Sequence, residues 1–145
     1  LAAVRDAELY LRLADNTFDT EFGTDPASVP RRCFLLTGPG EQIAGTISAW
    51  YRSYRGEDYG LIHWVAVRPA FQGRGLGKAA LCFALRQLAS WHDRALLGTA
   101  TRRLVAIRMY LEHGFLPDLE ADDALARWRH VQADLDHPVL RRLLP

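Results

Sequence analysis

LIHWVAVRPAFQGRGLGKAALCFALRQLASW, residues 61–91, is the stretch whose reading decides how this chain folds. It opens with Ile62, Trp64, Val65 and Val67, a β-branched and aromatic run that predicts a buried strand. Pro69 ends the strand, because proline offers no ladder donor. Gln72-Gly73-Arg74-Gly75-Leu76-Gly77-Lys78 follows, and then Leu81, Ala84, Leu85 and Leu88 recur at helical spacing. Three glycines therefore stand where a strand turns into a helix. A helix start presents unpaired N–H groups and the positive end of the macrodipole, and glycine lets a bulky anion approach the backbone. From Leu61 to Ser90 there is no Asp or Glu, but there are Arg68, Arg74, Lys78 and Arg86. The segment is built for a phosphate group.

Two familiar phosphate loops do not fit. A Walker loop needs glycine five residues before the Gly-Lys pair and Ser or Thr after the lysine, where this chain has Gln72 and Ala79. Gly75-Leu76-Gly77-Lys78-Ala79-Ala80 matches G-x-G-x-x-A of dinucleotide folds. Those folds also require an acid closing the next strand, and here that strand ends in Thr99-Ala100-Thr101.

Gln72-x-x-Gly75-x-Gly77, after a strand ending Val65-Ala66-Val67-Arg68-Pro69, resembles motif A (Q/R-x-x-G-x-G/A) of the GNAT superfamily of acetyl-CoA-dependent N-acetyltransferases. A second block, Ala106-Ile107-Arg108-Met109-Tyr110-Leu111-Glu112-His113-Gly114-Phe115, is similar to the signature that closes the family's motif B. The two blocks span residues 61–116. The resemblance implies the GNAT α/β fold: a mixed, mostly antiparallel sheet with a splayed parallel central strand pair and helices on both faces. A helical C-terminal segment replaces part of the usual final hairpin. No strand is evident ahead of the first helix, where the family pattern has one.

The same resemblance implies acetyl-CoA as co-substrate, with the amides of Gln72, Gly73, Arg74, Gly75, Leu76, Gly77 and Lys78 around its pyrophosphate. Val65, Ala66 and Val67 would run beside the pantetheine arm, the Val65 amide polarising the acetyl carbonyl. Tyr110 matches the tyrosine that protonates the departing thiolate; its plainer role is packing between helix and sheet. Arg103 stands where the family often has an asparagine that contacts the coenzyme, so that contact is not carried over. His63, two residues before Val65, resembles a histidine of arylalkylamine N-acetyltransferases and is the candidate base. Histidines on apolar strands are more often structural. Strand parity places its side chain on the face of Val65 and Val67.

Composition bounds the remainder. The chain has 145 residues, 49% hydrophobic and 24% charged, which fits one globular domain over 1–145. A net charge of +1 supplies no global field for nucleic acid. No apolar run approaches a membrane span, and Arg5, Asp6 and Glu8 do not suit a signal peptide, so the cytoplasm is expected. Cys33 and Cys82 read as buried thiols, and no spacing suggests a metal site. The expected partner is a small-molecule or peptide amine, with no nucleic acid and no membrane, in a monomer or homodimer. The rival reading is a noncatalytic acyl-CoA-binding or sensing domain.

Further elements follow from periodicity and turn residues. Residues 2–17 predict a helix, 19–30 a loop, Arg32–Thr37 a strand and Glu41–Arg52 another. Tyr51–Gly60, with three tyrosines and adjacent Glu57 and Asp58, reads as a hairpin loop, more simply solvated than substrate-facing. Arg94–Thr101 predicts a strand and Arg102–His113 a helix ended by Gly114 as C′ cap. Ala124–Leu135 predicts a helix with Leu125, Trp128, Val131 and Leu135 on one side, stopped at His137-Pro138. His92 and Asp93 read as a solvated corner.

Overall fold

The computed structural model describes residues 2–3, 22 and 25–144. The chain forms two compact parts, Leu1–Leu97 and Gly98–Pro145.

The first part is a five-stranded sheet in the order β1 (Ala2–Ala3), β2 (Cys33–Thr37), β3 (Ile43–Tyr54), β4 (Glu57–Val67), β5 (Ala95–Leu97). Its first three pairings are antiparallel and β4 with β5 is parallel, so the sheet is mixed as the sequence implies. The parallel pair requires a crossover. Helix α2 (Leu76–Leu88) supplies it, burying Ala80, Leu81, Ala84 and Leu88. Register sorts the two faces. Phe34 pairs with Ile47, and Phe34 meets Phe83 of α2 edge to face at 4.9 Å. The other face carries Cys33, Leu35, Trp50 and Leu61, covered by Phe22 and by Val29 of the one-turn helix α1 (Val29–Arg32).

Three expectations need correction. Ala2–Ala3 is not helical: it pairs with Leu35 and Phe34 as β1, a strand that two alanines do not announce. The rest of the helix expected over 2–17 lies outside the described residues. Tyr51–Gly60 is not a loop, for β3 and β4 run on to Tyr54 and Glu57 and turn through Arg55-Gly56 alone. Both turn residues have positive φ, 53° and 78°, as a tight two-residue hairpin demands. Arginine is not a usual first residue there, which hides the turn from a reading of composition. Strand β5 is also shorter than expected, three residues long.

The second part is helical: α3 (Leu104–Glu112), α4 (Ala124–Asp134) and α5 (Pro138–Leu143). Ile107, Leu111, Val131, Leu135, Leu140 and Leu144 form its core, with Trp128 packed against them. Leu125 is 42% exposed, so the buried stripe of α4 begins at Ala124 instead. His137-Pro138 does end α4, and it also starts α5. Proline suits the first helical position, and the His137 Nδ1 accepts from the Val139 N–H at 3.2 Å.

Candidate functional site

The far end of β4 departs from a regular ladder. Ser48 pairs with His63 but Thr46 pairs with Ala66, so Trp64 and Val65 stand together opposite Ile47. This is a β-bulge, and Trp64 carries it with φ of 51°. The bulge overturns the parity expected for His63. Ser48 and Thr46 share a face of β3, so their partners His63 and Ala66 share it too, three residues apart. Phe22 confirms the shift, for its ring lies 5.7 Å from His63 and 5.0 Å from Trp64, two consecutive residues of one strand. The Nδ1 atom of His63 is buried. Meanwhile the pairing of β5 with β4 ends at Ile62↔Leu97, and β4 continues past it to Val67.

Next comes the glycine loop. Pro69–Phe71 makes one tight turn, and Gly73 and Gly75 take φ of 73° and 76°, a conformation that favours glycine. A Cβ at either would meet nothing within 4 Å, so the space beyond both is open. The first helical bond runs from the Ala79 N–H to the Gly75 carbonyl at 3.0 Å. The amides of Leu76, Gly77 and Lys78 therefore belong to the first turn, where a helix has no carbonyl of its own to offer. No acid lies in that turn. The donor set and the open space fit a pyrophosphate. Beside it a cavity of about 190 Å³ is lined by Leu36, Thr37, Leu76, Ala79 and Ala80.

Two of the expected side chains serve the loop itself. Gln72 donates through Nε2 to the Val67 carbonyl at 2.9 Å, tying the loop to the end of β4. Arg74 donates to the Ala70 carbonyl at 3.2 Å and lies over the Phe71 ring at 5.6 Å. The Lys78 side chain is exposed. Phe71 escapes a motif reading because it stands one residue ahead of the motif, yet it braces the arginine.

Tyr110 belongs to the second part, in α3. It is buried, and burial raises its phenol above the ordinary tyrosine range, partly offset by Arg103. A raised phenol stays protonated at neutral pH, as a proton donor must. The helix ends as predicted. Gly114 has φ of 88°, its N–H donates to the Leu111 carbonyl, and the Phe115 N–H donates to the Tyr110 carbonyl at 3.1 Å. That is a Schellman ending, and the Tyr110–Phe115 ring contact at 6.1 Å is its usual hydrophobic partner. So the Tyr-x-x-x-Gly-Phe spacing is itself a folding signal.

Two of the remaining polar candidates, Glu57 and His92, are occupied elsewhere. Glu57 is ion-paired with Arg94. Tyr51 donates to Asp25 at 2.8 Å. His92 is not simply solvated: its Nε2 faces the Arg32 guanidinium at 3.4 Å, and burial followed by that cation lowers its pKa. Arg32 in turn lies over the rings of Tyr51 and Trp91 and donates to the Ala49 carbonyl. Among the described residues no group of three or more His, Cys, Asp or Glu could hold a metal ion. No helix among them is long and apolar enough to cross a membrane.

Comparison with known proteins bears on the family and the fold. The model of the acetyltransferase (GNAT) family matches residues 5–115. A mycothiol acetyltransferase of Streptomyces scabiei (strain 87.22) is 34% identical over 93 residues, 63% of this chain but 28% of that protein. The matched region thus spans under a third of the curated relative. Among solved structures, the aminoglycoside 6'-N-acetyltransferase AAC(6')-Ig of Acinetobacter haemolyticus superposes with a TM-score of 0.59 at 15% identity, over 81% of this chain and 91% of that one. The glucosamine-6-phosphate N-acetyltransferase of Arabidopsis thaliana gives 0.52 at 21% identity, over 75% and 76%. At such identities these two speak for the fold alone.

Proposed function

This chain belongs to the acetyltransferase (GNAT) family, and from that premise we propose that it moves an acetyl group from acetyl-CoA to a primary amine of a small molecule or peptide. The attack is direct, in a ternary complex, by one domain over residues 1–145 acting in the cytoplasm. The observation that carries the reading is the open loop with two left-handed glycines at the start of α2, next to a strand that bulges and outruns its parallel partner.

Coenzyme A supplies the thioester that carries the acetyl group. The amides from Gly73 to Lys78 hold its pyrophosphate with the α2 dipole behind them. Gln72 keeps that loop against Val67. Val65, Ala66 and Val67 offer main-chain groups along the pantetheine arm, and the Val65 N–H donates to the acetyl carbonyl, where negative charge grows in the transition state. His63 takes a proton from the incoming ammonium, directly or through a water, since an alkylamine is almost wholly protonated at neutral pH. Tyr110 gives its phenol proton to the departing thiolate.

The relatives act, by their names, on aminoglycoside, glucosamine 6-phosphate and mycothiol chemistry, so amino sugars head the panel of acceptors to try. The test is thiol release from acetyl-CoA with amino sugars, polyamines, arylalkylamines, amino acids and peptides. Release above the hydrolytic background with one class supports the transferase. Tight acetyl-CoA binding with no release across the panel supports the sensing domain instead.

A further inference from the structure

Trp64 holds a backbone conformation that a bulky residue rarely takes. Three described non-glycine residues have positive φ, namely Glu41, Arg55 and Trp64. The first two sit in turns, and Trp64 sits inside a strand. Such a conformation is strained and persists only where its surroundings over-determine it. Two contacts do so here. The Thr46 hydroxyl donates to the Trp64 carbonyl at 2.8 Å, and the Trp64 ring meets Phe22 edge to face at 5.0 Å.

The first contact reaches beyond Trp64. Its carbonyl and the N–H of Val65 are the two ends of one planar trans peptide, and they point in opposite directions. A hydroxyl on β3 that holds the carbonyl toward β3 turns the Val65 N–H away from it. That is the side on which β4 continues beyond its pairing with β5. Thr46 is 4% exposed, so water competes little for its hydroxyl.

We infer that Thr46 is a positioning residue for acetyl transfer, its hydroxyl aiming the Val65 N–H at the thioester carbonyl. The inference rests on the reading of Val65 as the polarising donor. A donor fixed in direction before the substrate arrives needs no reorganisation during the reaction, which is where such donors gain their effect.

The test compares Thr46→Val, which keeps the shape without the hydroxyl, with Thr46→Ser, which keeps the hydroxyl. Removing a whole donor of this kind costs about 10²–10³ in kcat, and a misdirected one should cost about tenfold. The expected result is that kcat falls about tenfold in Thr46→Val, KM for acetyl-CoA stays nearly constant, and Thr46→Ser recovers most of the rate. In the ligand-free protein, the residual dipolar coupling of the Val65 N–H should change in Thr46→Val while those of Leu61 and Ile62 do not. Thr46→Ala supplies the same readout should the valine variant fail to fold. An unchanged coupling in the folded variant overturns the inference, even if activity drops along with thermal stability. Addition of acetyl-CoA to the wild-type protein separates the two layers. A downfield shift of the Val65 amide proton, absent with coenzyme A alone, supports the donor reading. No such shift removes that reading and the inference with it. A wild-type shift that persists equally in Thr46→Val removes the inference alone.

Discussion

Gly45 lies so close beneath Ala66 that a Cβ on Gly45 would stand 2.1 Å from the Ala66 carbonyl oxygen. The obstacle is backbone, which cannot swing aside as a side-chain end can. Gly45 sits on β3 one residue before Thr46, opposite the stretch of β4 just past the bulge. Gly45→Ala must therefore force the two strands apart beside the proposed donor amides of β4. Overpacking of this kind costs about 1–3 kcal/mol. Urea unfolding should show that loss, and acetyl-CoA affinity should fall further than stability predicts. A melt and an affinity equal to wild type would refute the close approach.

Gly75→Glu tests the pyrophosphate site. A carboxylate there would occupy the open volume and repel the ligand, weakening acetyl-CoA binding more than tenfold, about 1.4 kcal/mol or more. Because Gly75 has φ of 76°, any side chain also adds strain. Gly75→Ala carries the strain without the charge. Calorimetry of both variants isolates the electrostatic part, and equal affinities would remove phosphate from the assignment.

Tyr110→Phe deletes one hydroxyl and leaves the ring that packs on Phe115. If the phenol protonates the thiolate, kcat should fall about 10²-fold with KM for acetyl-CoA nearly unchanged. The direction of the pKa shift adds a second readout. Burial makes the folded chain hold this proton more tightly than the unfolded chain does. The stabilisation is whole below the ordinary tyrosine range and is lost as pH climbs through the raised value. The basic limb of kcat should accordingly lie above ~10, tyrosine's ordinary pKa. A normal turnover number would return Tyr110 to its part in the helix ending.

His63→Gln keeps a polar group against Phe22 but no base. The acidic limb of the rate profile should disappear along with most of the rate. Survival of that limb, or a loss of activity that only tracks thermal stability, would mark a structural histidine.

Cys33 offers a check on the core. Its thiol is fully buried and pushed up to about 11 by that burial, against a hydrogen bond from Ser48 that lowers it. Cys82 is partly exposed. At pH 8 alkylation should reach Cys82 first and Cys33 only on unfolding. Equal rates would contradict the packing of Phe22, Val29 and Trp50 over this face.

The sequence by itself determined the glycine loop, the helix after it and the ending of α3, because each is a local device. Glycines with positive φ, a helix start free of acids and a Gly114-Phe115 ending act within a few residues of chain. Strand–helix–strand order also pointed to the parallel pair, since parallel neighbours need a crossover, whereas the antiparallel remainder of the sheet was implied only by the family resemblance. The sequence could not show that β1 is two alanines, that Tyr51–Gly60 is ladder and not loop, or that Leu125 faces outward. Those outcomes depend on partners distant in sequence. The bulge is the decisive case. Period-two alternation from His63 to Val67 looks regular on paper, yet one extra residue opposite Ile47 resets which side chains share a face. Only the tertiary structure brings Thr46, Phe22 and Gly45 to that place. A hydroxyl and a ring hold Trp64 in a conformation its own sequence would not choose, and a missing Cβ lets β3 close on Ala66 beside it.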